Sequence, residues 1–546
     1  IIKNLRIGPL QRSVFSDPLV VDTPQGQIRG LPADDGDYLM FLGIPYGRVD
    51  ANNPFGAAEP YPKFNGTFEA NDDSAICPQI QEVTNIITGT LDCLNLNVYV
   101  PNNSSENTPV LVWIHGGGFL NGDGSKQLCG PKYLVRHGII VVSINYRLGP
   151  YGFLCLDIPE VPGNQGLKDQ VLALRWIRNN IESFGGDVNK ITVYGESAGA
   201  ASVEFHIASE NEKLFQQAIL SSGAIFGEWT ISDMDNSIPL KLAAALGLDT
   251  DNVRAALDHL KNIDVLRVIE AARPIGMLSG CVEKKFDGIE GFLHVHPFTL
   301  NKLPKAENMP IITGFNSDER LAAYANTPEE SFPNLDPFRD VAIGLPDEEE
   351  VYSLFRRFYI GDVPITSNVS RELTDFNSDY TFNHPSHRSL KRFLNSGSSA
   401  YYYIFSYCGG RNLVKVRLNI TDGGAAHADE LGYVFDMGSL IGLGDANDYL
   451  IVDRMTMLWA NFVKYGNPTP EVTPLLPVIW PVATQQTHSY LNIDSDLEIG
   501  LGPFHARLTF WDLFHIAYPF RTNNASNNVT SKLLLVFTYC IWKLIF

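Results

Sequence analysis

The sequence predicts an α/β fold in which helices cover both faces of a large, mostly parallel central sheet. Apolar residues make up 45% of the 546 residues and charged residues 19%, so the chain can bury a large core. Short apolar runs, mostly β-branched or aromatic, alternate with amphipathic helical patterns from about Val110 onward. Such alternation is typical of parallel strands joined by helical crossovers.

The strands of this sheet are predicted at six apolar runs, most of them bounded by glycines or polar turns. They are Val110–Ile114, Ile139–Asn145, Ile191–Tyr194, Ala218–Leu220, Pro310–Thr313 and Tyr401–Tyr407. Ligands of such sheets bind beyond the carboxyl ends of the strands. Polar side chains that directly follow a strand are therefore the first candidates for a functional site.

The helical patterns define the rest of the domain. Gly166–Phe184 carries apolar residues at spacings of three and four, which predicts one amphipathic helix. Two charged segments, Asp233–Lys305 and Asn334–His387, are helical in pattern and follow no linker. They are interpreted as insertions that cap the sheet. The expected organisation is a single domain over residues 1–522, followed by a tail over residues 523–546.

The charge balance excludes some classes of partner. Lys and Arg number 41 against 61 Asp and Glu, which gives a formal net charge of −20. Nucleic-acid affinity comes mainly from neutralised phosphates, so a nucleic-acid partner is not expected. Electrostatic docking on anionic lipid is disfavoured for the same reason. The acidic surface mildly favours neutral or cationic substrates.

Cysteines and glycosylation motifs point to the secretory route. The seven cysteines include no CxxC pair and no Cys/His cluster with zinc spacing, so a metal is not expected. The chain starts at Ile1, not Met, and a signal peptide is expected to have been removed. N-x-S/T motifs, which require that route for glycosylation, occur at Asn65, Asn102, Asn103, Asn368, Asn419, Asn524 and Asn528.

The C-terminal tail carries an apolar stretch, Leu533–Phe546, that is too short for a comfortable membrane span. Small polar residues, Asn523–Ser526, and a short polar spacer precede it. This order is typical of a GPI-attachment signal. The alternative is an amphipathic or buried terminal helix, and the sequence does not choose between the two.

The clearest chemical signal is the motif GESAG at Gly195–Gly199, between a predicted strand and the helical run Ala200–Ala208. A nucleophile elbow requires this strand–turn–helix context. The flanking glycines allow a sharp turn that lifts the Ser197 hydroxyl above the sheet, at the positive end of a helix. The alternative is an ordinary glycine turn.

A second signal is the motif HGGGF at His115–Phe119, which directly follows the strand Val110–Ile114. Acyl transfer builds negative charge on a carbonyl oxygen, and backbone N–H groups of a glycine loop can stabilise that charge. A flexible loop is the alternative. The flanking His and Phe and the position ahead of Ser197 favour an oxyanion hole.

A base and an acid complete the candidate site. In this kind of fold the acid follows the serine and the histidine comes last. His427 lies among small residues after a strand, whereas His294 and His296 precede the best acid and are weaker candidates. That acid is Glu319, just beyond the strand Pro310–Thr313, with Asp318 as its competitor. Spacing alone does not choose between the two carboxylates.

With further motifs the sequence resembles the type-B carboxylesterase and cholinesterase family of α/β-hydrolases. The resemblance runs from about Val20 to about Tyr518 and is strongest to insect secreted carboxylesterases. Beside the elbow and the glycine loop, it rests on Phe41–Tyr46, Asp92–Tyr99, Asn145–Pro150, Gly163–Leu167, Asp169–Gln170, Phe184–Asp187 and Gly466–Pro468.

The resemblance implies roles for individual residues and no cofactor. It assigns the nucleophile to Ser197, the acid to Glu319 and the base to His427. It places the oxyanion donors at the backbone N–H groups of Gly117, Gly118 and Ala198. It gives Glu196 and Ser222 supporting roles. It places Trp229 in the acyl pocket. It pairs Cys77 with Cys93. A second family disulfide lacks an evident partner, because Cys281 stands alone in the middle segment, and the pairing of Cys129, Cys155, Cys281 and Cys408 stays open.

These observations lead to a serine hydrolase of neutral carboxylic esters, with short-acyl esters of apolar alcohols as the expected substrates. A non-catalytic adhesion domain of the family is one alternative, although such members typically have a broken triad. An insect hormone esterase is another, but those usually carry Gln where this chain has Glu196. A cholinesterase is disfavoured because the loop Pro78–Asp92 contains no aromatic residue. The oligomeric state stays open.

Overall fold

The computed structural model describes residues 19–81, 84–104 and 106–518. The tail with the predicted anchor signal, and the glycosylation motifs at Asn524 and Asn528, lie outside these residues. The asparagine side chains of the other five motifs are exposed. Within the described ranges, no helix is both long enough and apolar enough to cross a membrane.

The central sheet of the described chain has eleven strands. In chain order they are β1 (Leu31–Pro32), β2 (Tyr38–Pro45), β3 (Asn95–Pro101), β4 (Thr108–Ile114), β5 (Ile140–Ile144), β6 (Gly186–Glu196), β7 (Gln217–Ser221), β8 (Pro310–Asn316), β9 (Ser399–Phe405), β10 (Ser489–Ile493) and β11 (Leu497–Leu501). Short two- to four-residue strands outside it are Val20–Thr23, Gly26–Arg29, Gly47–Arg48, Glu59–Pro60, Phe68–Glu69, Gln79–Ile80 and Ile87–Thr88.

The sheet is mostly parallel, as the sequence predicts. Its strand order is β11-β10-β9-β8-β7-β6-β4-β5-β3-β2-β1. The seven strands from β10 to β5 in this order run parallel, and antiparallel pairs form both edges. The six predicted strands correspond to β4 through β9. Strands β5 and β7 are buried at every position, because helices cover both faces of a parallel sheet.

The core lies in two layers, one on each face of the sheet. Along β4, Val110, Val112 and Ile114 belong to one apolar cluster, and Leu111 and Trp113 belong to the other. This alternation follows from the two-residue repeat of a strand.

Helices fill the connections between the strands. In chain order the described α-helices are α1 (Lys132–Val135), α2 (Gly149–Phe153), α3 (Gln165–Asn180), α4 (Ala198–Ala208), α5 (Ser237–Ala245), α6 (Val253–Leu260), α7 (Val265–Ala272), α8 (Pro337–Ala342), α9 (Glu348–Tyr359), α10 (Ser370–Ser378), α11 (His384–Asn395), α12 (Leu413–Leu418), α13 (Leu431–Val434), α14 (Ala446–Tyr465) and α15 (His505–Ala517). The predicted helix Gly166–Phe184 is α3 followed by one 3-10 turn.

One insertion is less helical than its pattern predicts. The segment Asp233–Lys305 contains α5 to α7 but runs without regular helix over residues 276–296. Buried polar contacts hold this stretch instead. Glu283 accepts a hydrogen bond from Asn164 at 2.6 Å and pairs with Lys168 at 2.9 Å. Asn164 also accepts the Cys281 N–H and donates to the Cys281 oxygen, so side chains satisfy backbone groups that a helix would otherwise satisfy internally.

The described part of the chain contains two disulfides. Cys77 and Cys93 form one, as the family resemblance implies. Cys281, for which the sequence shows no evident partner, is bonded to Cys155 across a sequence separation of 126 residues. No local pattern signals a pairing over that distance. Cys129, buried, and Cys408, exposed, are free thiols.

Four histidines lie together where α11, α15 and the start of β10 meet. The ring of His384 stacks on that of His515 with centroids 5.0 Å apart, and His387 contacts His488 at 4.7 Å. Burial lowers the pKa of His384 to about 4, of His387 to about 3 and of His515 to about 2. The neighbouring charges are Arg388, Lys391 and Asp512.

This cluster should make the fold acid-sensitive. The unfolded chain binds protons on these histidines below about pH 6.5, whereas the folded chain does not until much lower pH. Stability is therefore fully present above about pH 6.5 and falls as the pH is lowered toward 4, by about 1.4 kcal/mol per pH unit for each such histidine.

We expect His515→Phe, which keeps the stacked ring but removes the titration, to weaken this dependence. Between pH 7 and pH 5 the variant should lose about 2 kcal/mol less stability than the wild type. The measurement is Tm at both pH values, with His505→Phe, an exposed position on the same helix, as the control. An equal drop of Tm in His515→Phe and the wild type would contradict the role of His515.

Candidate active site

Ser197 occupies the sharp turn between β6 and α4. Its backbone has φ 55° and ψ −121°, a region that residues with a side chain rarely adopt. The turn is possible because the first and last residues of the motif, Gly195 and Gly199, have no side chain. A Cβ on Gly195 would lie 2.3 Å from the backbone of Gly199, and one on Gly199 would lie 2.1 Å from the Ile114 oxygen. The hydroxyl is thereby presented at the carboxyl end of the parallel strands.

His427 joins the serine to a buried carboxylate. Its Nε2 lies 2.9 Å from the Ser197 Oγ, and its Nδ1 lies 2.6 Å from Oε2 of Glu319. The other Glu319 oxygen accepts a hydrogen bond from the Asn316 backbone N–H at 2.7 Å. Three side chains that are far apart in sequence thus form one hydrogen-bonded chain.

The rival candidates lie in other contacts. Asp318 pairs with Arg371 at 2.6 Å and accepts the Gly424 N–H, so it faces away from the imidazole. His294 lies 3.1 Å from Glu210. His296 accepts the Phe298 N–H at the start of a 3-10 turn. The structure therefore distinguishes Glu319 from Asp318, which the spacing of the residues alone does not, and it places Glu319 where the family resemblance implies the acid.

The loop that carries His427 is held by buried polar groups that sequence reasoning missed. Asp429 accepts the N–H groups of Ala426 and Val414, and burial raises its pKa to about 6. The Lys415 ammonium donates to three consecutive carbonyls of the loop, at residues 422, 423 and 424. The only sequence signal for this role of Asp429 is its position, two residues beyond His427.

Phe382 is another contact of His427 that the sequence did not reveal. Its ring stacks on the imidazole with centroids 4.1 Å apart and an interplanar angle of 20°. It belongs to a π-helical turn, Asp379–Asn383, in a segment for which the pattern predicts only a capping helix. The ring covers one face of the imidazole, which restricts its rotation.

The glycine loop lies directly against the serine. A Cβ on Gly116 would lie 3.0 Å from the Ser197 Cβ, so only glycine fits there. Gly117 and Gly118 have φ of 96° and 60°. In the described chain, the backbone N–H groups of Gly117, Gly118 and Ala198 form no hydrogen bond with any residue. Fixed donors without a partner beside a nucleophile suit a developing oxyanion.

Three buried carboxyl groups surround the histidine. Glu196 lies 3.3 Å from Nε2 of His427, and Glu319 contacts Nδ1. Burial and the negative charges of these two residues raise the pKa of the third, Glu430, well above its usual value. Asn316 donates to Glu430 at 2.6 Å. The three carboxyl groups therefore form one buried acidic cluster, in which the cost of further negative charge falls on Glu430.

Two further predicted residues also lie near the elbow. The Ser222 backbone has φ 51° and donates to the Gly314 oxygen at 2.9 Å, but its buried hydroxyl hydrogen-bonds no residue of the described chain. Trp229 is buried and donates from its indole N–H to the Thr381 oxygen at 3.2 Å. Its ring centroid lies 6.3 Å from Phe119 and 6.0 Å from Phe382, so it belongs to the aromatic group beside His427.

Comparisons with known proteins agree with this arrangement. The family model of the carboxylesterase family matches residues 17–511. A juvenile hormone esterase of Tribolium castaneum is 32% identical over 79% of this chain and 80% of its own length. A cholinesterase of Mus musculus is 31% identical over 93% of this chain and 88% of its own length. A bile salt-activated lipase of Rattus norvegicus is 31% identical over 91% of this chain and 85% of its own length.

The match covers the whole central sheet and all three residues of the hydrogen-bonded chain, Ser197, His427 and Glu319. The relatives named above are similar over most of their own length as well. Fold, site geometry and sequence similarity therefore lead to one conclusion: the chain belongs to the carboxylesterase family, a family of α/β-hydrolases that cleave carboxylic esters.

Proposed function

We propose that Ser197, His427 and Glu319 cleave neutral carboxylic esters through an acyl-enzyme. The observation that carries the proposal is the continuous hydrogen-bonded chain through the two nitrogens of His427. His427 Nε2 takes the serine proton while Oγ attacks the ester carbonyl carbon. The imidazolium then gives this proton to the leaving alcohol. Water, deprotonated by the same nitrogen, hydrolyses the acyl-enzyme and restores the serine.

Three features of the site would lower the barrier of these steps. The free N–H groups of Gly117, Gly118 and Ala198 would bind the carbonyl oxygen as it becomes negative. Glu319 accepts a hydrogen bond from the Nδ1 N–H of His427, which fixes the tautomer that presents a basic Nε2 to the serine. Glu196, near Nε2, adds a second negative charge beside the transient imidazolium.

The aromatic group around Trp229 is the reason to propose substrates with short acyl groups. A large rigid ring beside the nucleophile limits the size of the acyl chain and leaves the apolar part of the substrate to the alcohol side. The loop between Cys77 and Cys93 offers no aromatic face to a quaternary ammonium group. We therefore propose short-acyl esters of apolar alcohols as substrates.

A hormone esterase is the second candidate, because two relatives named juvenile hormone esterase are 32% and 30% identical to this chain. Glu196, where the family's hormone esterases usually carry Gln, speaks against it. A non-catalytic adhesion role is the third candidate. The intact hydrogen bonds of His427 speak against that role, because a protein that only binds has no need of them.

We also propose that the protein passes through the secretory route. Two disulfides support this, since such bonds persist in oxidising compartments. The exposed asparagines of the motifs at Asn65, Asn368 and Asn419 support it further, because N-glycosylation takes place in the secretory route.

Ser197→Ala should abolish ester hydrolysis while the protein stays folded, because the methyl group fits the turn but cannot attack a carbonyl. The residual rate should be lower by a factor on the order of 10⁴ or more. The measurement is kcat/KM for 4-nitrophenyl acetate, with Tm as the control for folding. An organophosphate should label the wild type once, at Ser197. Near-normal turnover in the variant, or labelling elsewhere, would contradict the assignment.

The rate should fall on acidification along a single acidic limb in kcat/KM. Protonated His427 cannot accept the serine proton, so each molecule in that form is inactive. The control is to return each sample to pH 7 and recover the full rate, which separates titration from acid unfolding. A flat profile through the acidic range would be inconsistent with a histidine base.

Acetylcholine should be a poorer substrate than 3,3-dimethylbutyl acetate, its neutral analogue of the same shape. Without an aromatic platform the cation gains little attraction and loses its hydration. A higher kcat/KM for acetylcholine than for the neutral analogue would contradict this expectation.

Trp229→Leu should raise the relative kcat/KM for bulkier acyl groups by about tenfold, because the smaller side chain leaves more room beside the nucleophile. The measurement is the same assay over a series of acyl lengths. An acyl-length profile that the substitution leaves unchanged would contradict a role of Trp229 in the acyl pocket.

A further inference from the structure

Arg320 lies between two segments that contact the catalytic histidine. It directly follows Glu319, whose carboxylate lies 2.6 Å from Nδ1 of His427. Its backbone N–H donates to the buried Oγ of Ser378 at 2.9 Å. Ser378 directly precedes the π-helical turn whose aromatic ring stacks on the imidazole. The backbone of Arg320 is therefore fixed beside the catalytic site from two sides.

The guanidinium of Arg320 is buried without an acceptor. The residue is only 4% exposed, and its Nε has no hydrogen-bond partner in the described chain. No described residue forms an ion pair with this guanidinium or accepts a hydrogen bond from its terminal nitrogens. An arginine side chain is not deprotonated in proteins, so burial does not remove its charge. The result is a cation without a partner inside the molecule.

Other buried arginines of this chain show what such a group normally has. Four more arginines of the described residues are less than one-tenth exposed, and each has at least one acceptor. Two form ion pairs with buried carboxylates, and two donate to backbone carbonyls. In that order they are Arg147 and Arg392, then Arg411 and Arg454. Arg320 departs from this pattern, although burying a charge without a partner is costly.

The acidic neighbours of Arg320 are engaged with other groups. Glu319 binds the imidazole through one oxygen and a backbone N–H through the other. Asp318 pairs with an arginine of α10 at 2.6 Å. Asp379, on the far side of Ser378, pairs with an arginine of α15 at 2.9 Å. A buried guanidinium among carboxylates that are already paired is suited to an anion from outside the chain.

We propose that Arg320 binds a carboxylate group of the ligand that occupies the catalytic site. The proposal rests on the ester hydrolysis proposed above, because each turnover releases a carboxylic acid. A guanidinium matches a carboxylate with two parallel N–H···O hydrogen bonds. The carboxylate belongs either to this released acid or to an ester that carries a second acid group. The proposed substrates are thereby extended from neutral esters to esters with a carboxylate.

The substrate test uses ester pairs in which an isopropyl group replaces the carboxylate. Monoethyl succinate and ethyl 4-methylpentanoate differ on the acyl side, and acetoxyacetate and isobutyl acetate differ on the alcohol side. The kcat/KM of the anionic member is divided by that of its neutral partner. In Arg320→Gln this ratio should fall by about tenfold or more in one pair, because a hydrogen bond to a charged group is lost. Arg320→Lys should retain part of the ratio.

A binding test covers the released acid and needs no hydrolysis. In Ser197→Ala, sodium butyrate should raise Tm more than sodium chloride does at equal ionic strength, because a ligand that binds only the folded protein stabilises it. This difference should vanish in Ser197→Ala/Arg320→Gln. A Tm shift that depends on Arg320 supports the site even if the wild type turns over no ester.

Controls separate binding from folding and from total charge. Arg357→Gln removes an exposed cation from α9 and should leave the ratios and the Tm shift intact. Arg320→Met, which has no charge and a similar unbranched chain, should behave as Arg320→Gln does. A fall of Tm in both Arg320 variants with unchanged ratios would assign the residue to folding and overturn the proposal. Normal turnover, with ratios and a butyrate effect that do not depend on Arg320, would overturn the site and leave the hydrolase intact.

Discussion

The site depends on one steric constraint, the contact of bare backbone at the carboxyl ends of β4 and β6. Gly199 touches the Ile114 oxygen, and Gly116 touches Ser197, at distances that leave no room for a Cβ. This contact sets the serine in its unusual backbone conformation. It also puts the glycine loop within reach of any oxygen that develops charge beside the serine. The nucleophile and its anion site are therefore fixed by the same packing, before any substrate contact.

Electrostatics adds a second level of organisation around the imidazole. Two carboxyl groups lie near its nitrogens, and burial together with their negative charges raises the pKa of a third carboxyl, Glu430. Three ionised carboxylates in one buried region would repel each other, and the raised pKa of Glu430 limits this repulsion. Asn316 connects the groups, because its backbone N–H binds Glu319 and its side chain binds Glu430. The same residue thus holds two of the three carboxyl groups in place.

Sequence patterns predicted the parts of the molecule that repeat or that have a local signature. Strands β4 to β9 follow from apolar runs, and the elbow follows from glycines between a strand and a helix. Local spacing could not choose between Glu319 and Asp318, because neighbouring carboxylates differ only in direction, and Arg371, which pairs with Asp318, lies 53 residues further on. Only the family resemblance assigned the acid to Glu319. Phe382 was missed because its segment, Asn334–His387, shows only a capping pattern. Its contact with His427 arises from tertiary packing.

The disulfide between Cys155 and Cys281 has a topological consequence. The covalent loop it closes contains β6, Ser197, α4, β7 and Trp229, but neither Glu319 nor His427. Helices α5 to α7 lie inside this loop, and several residues between α5 and α6 are exposed. A protease that cuts there leaves the two fragments covalently joined, with the serine on one side of the bond. Only reduction would then separate the nucleophile from its histidine.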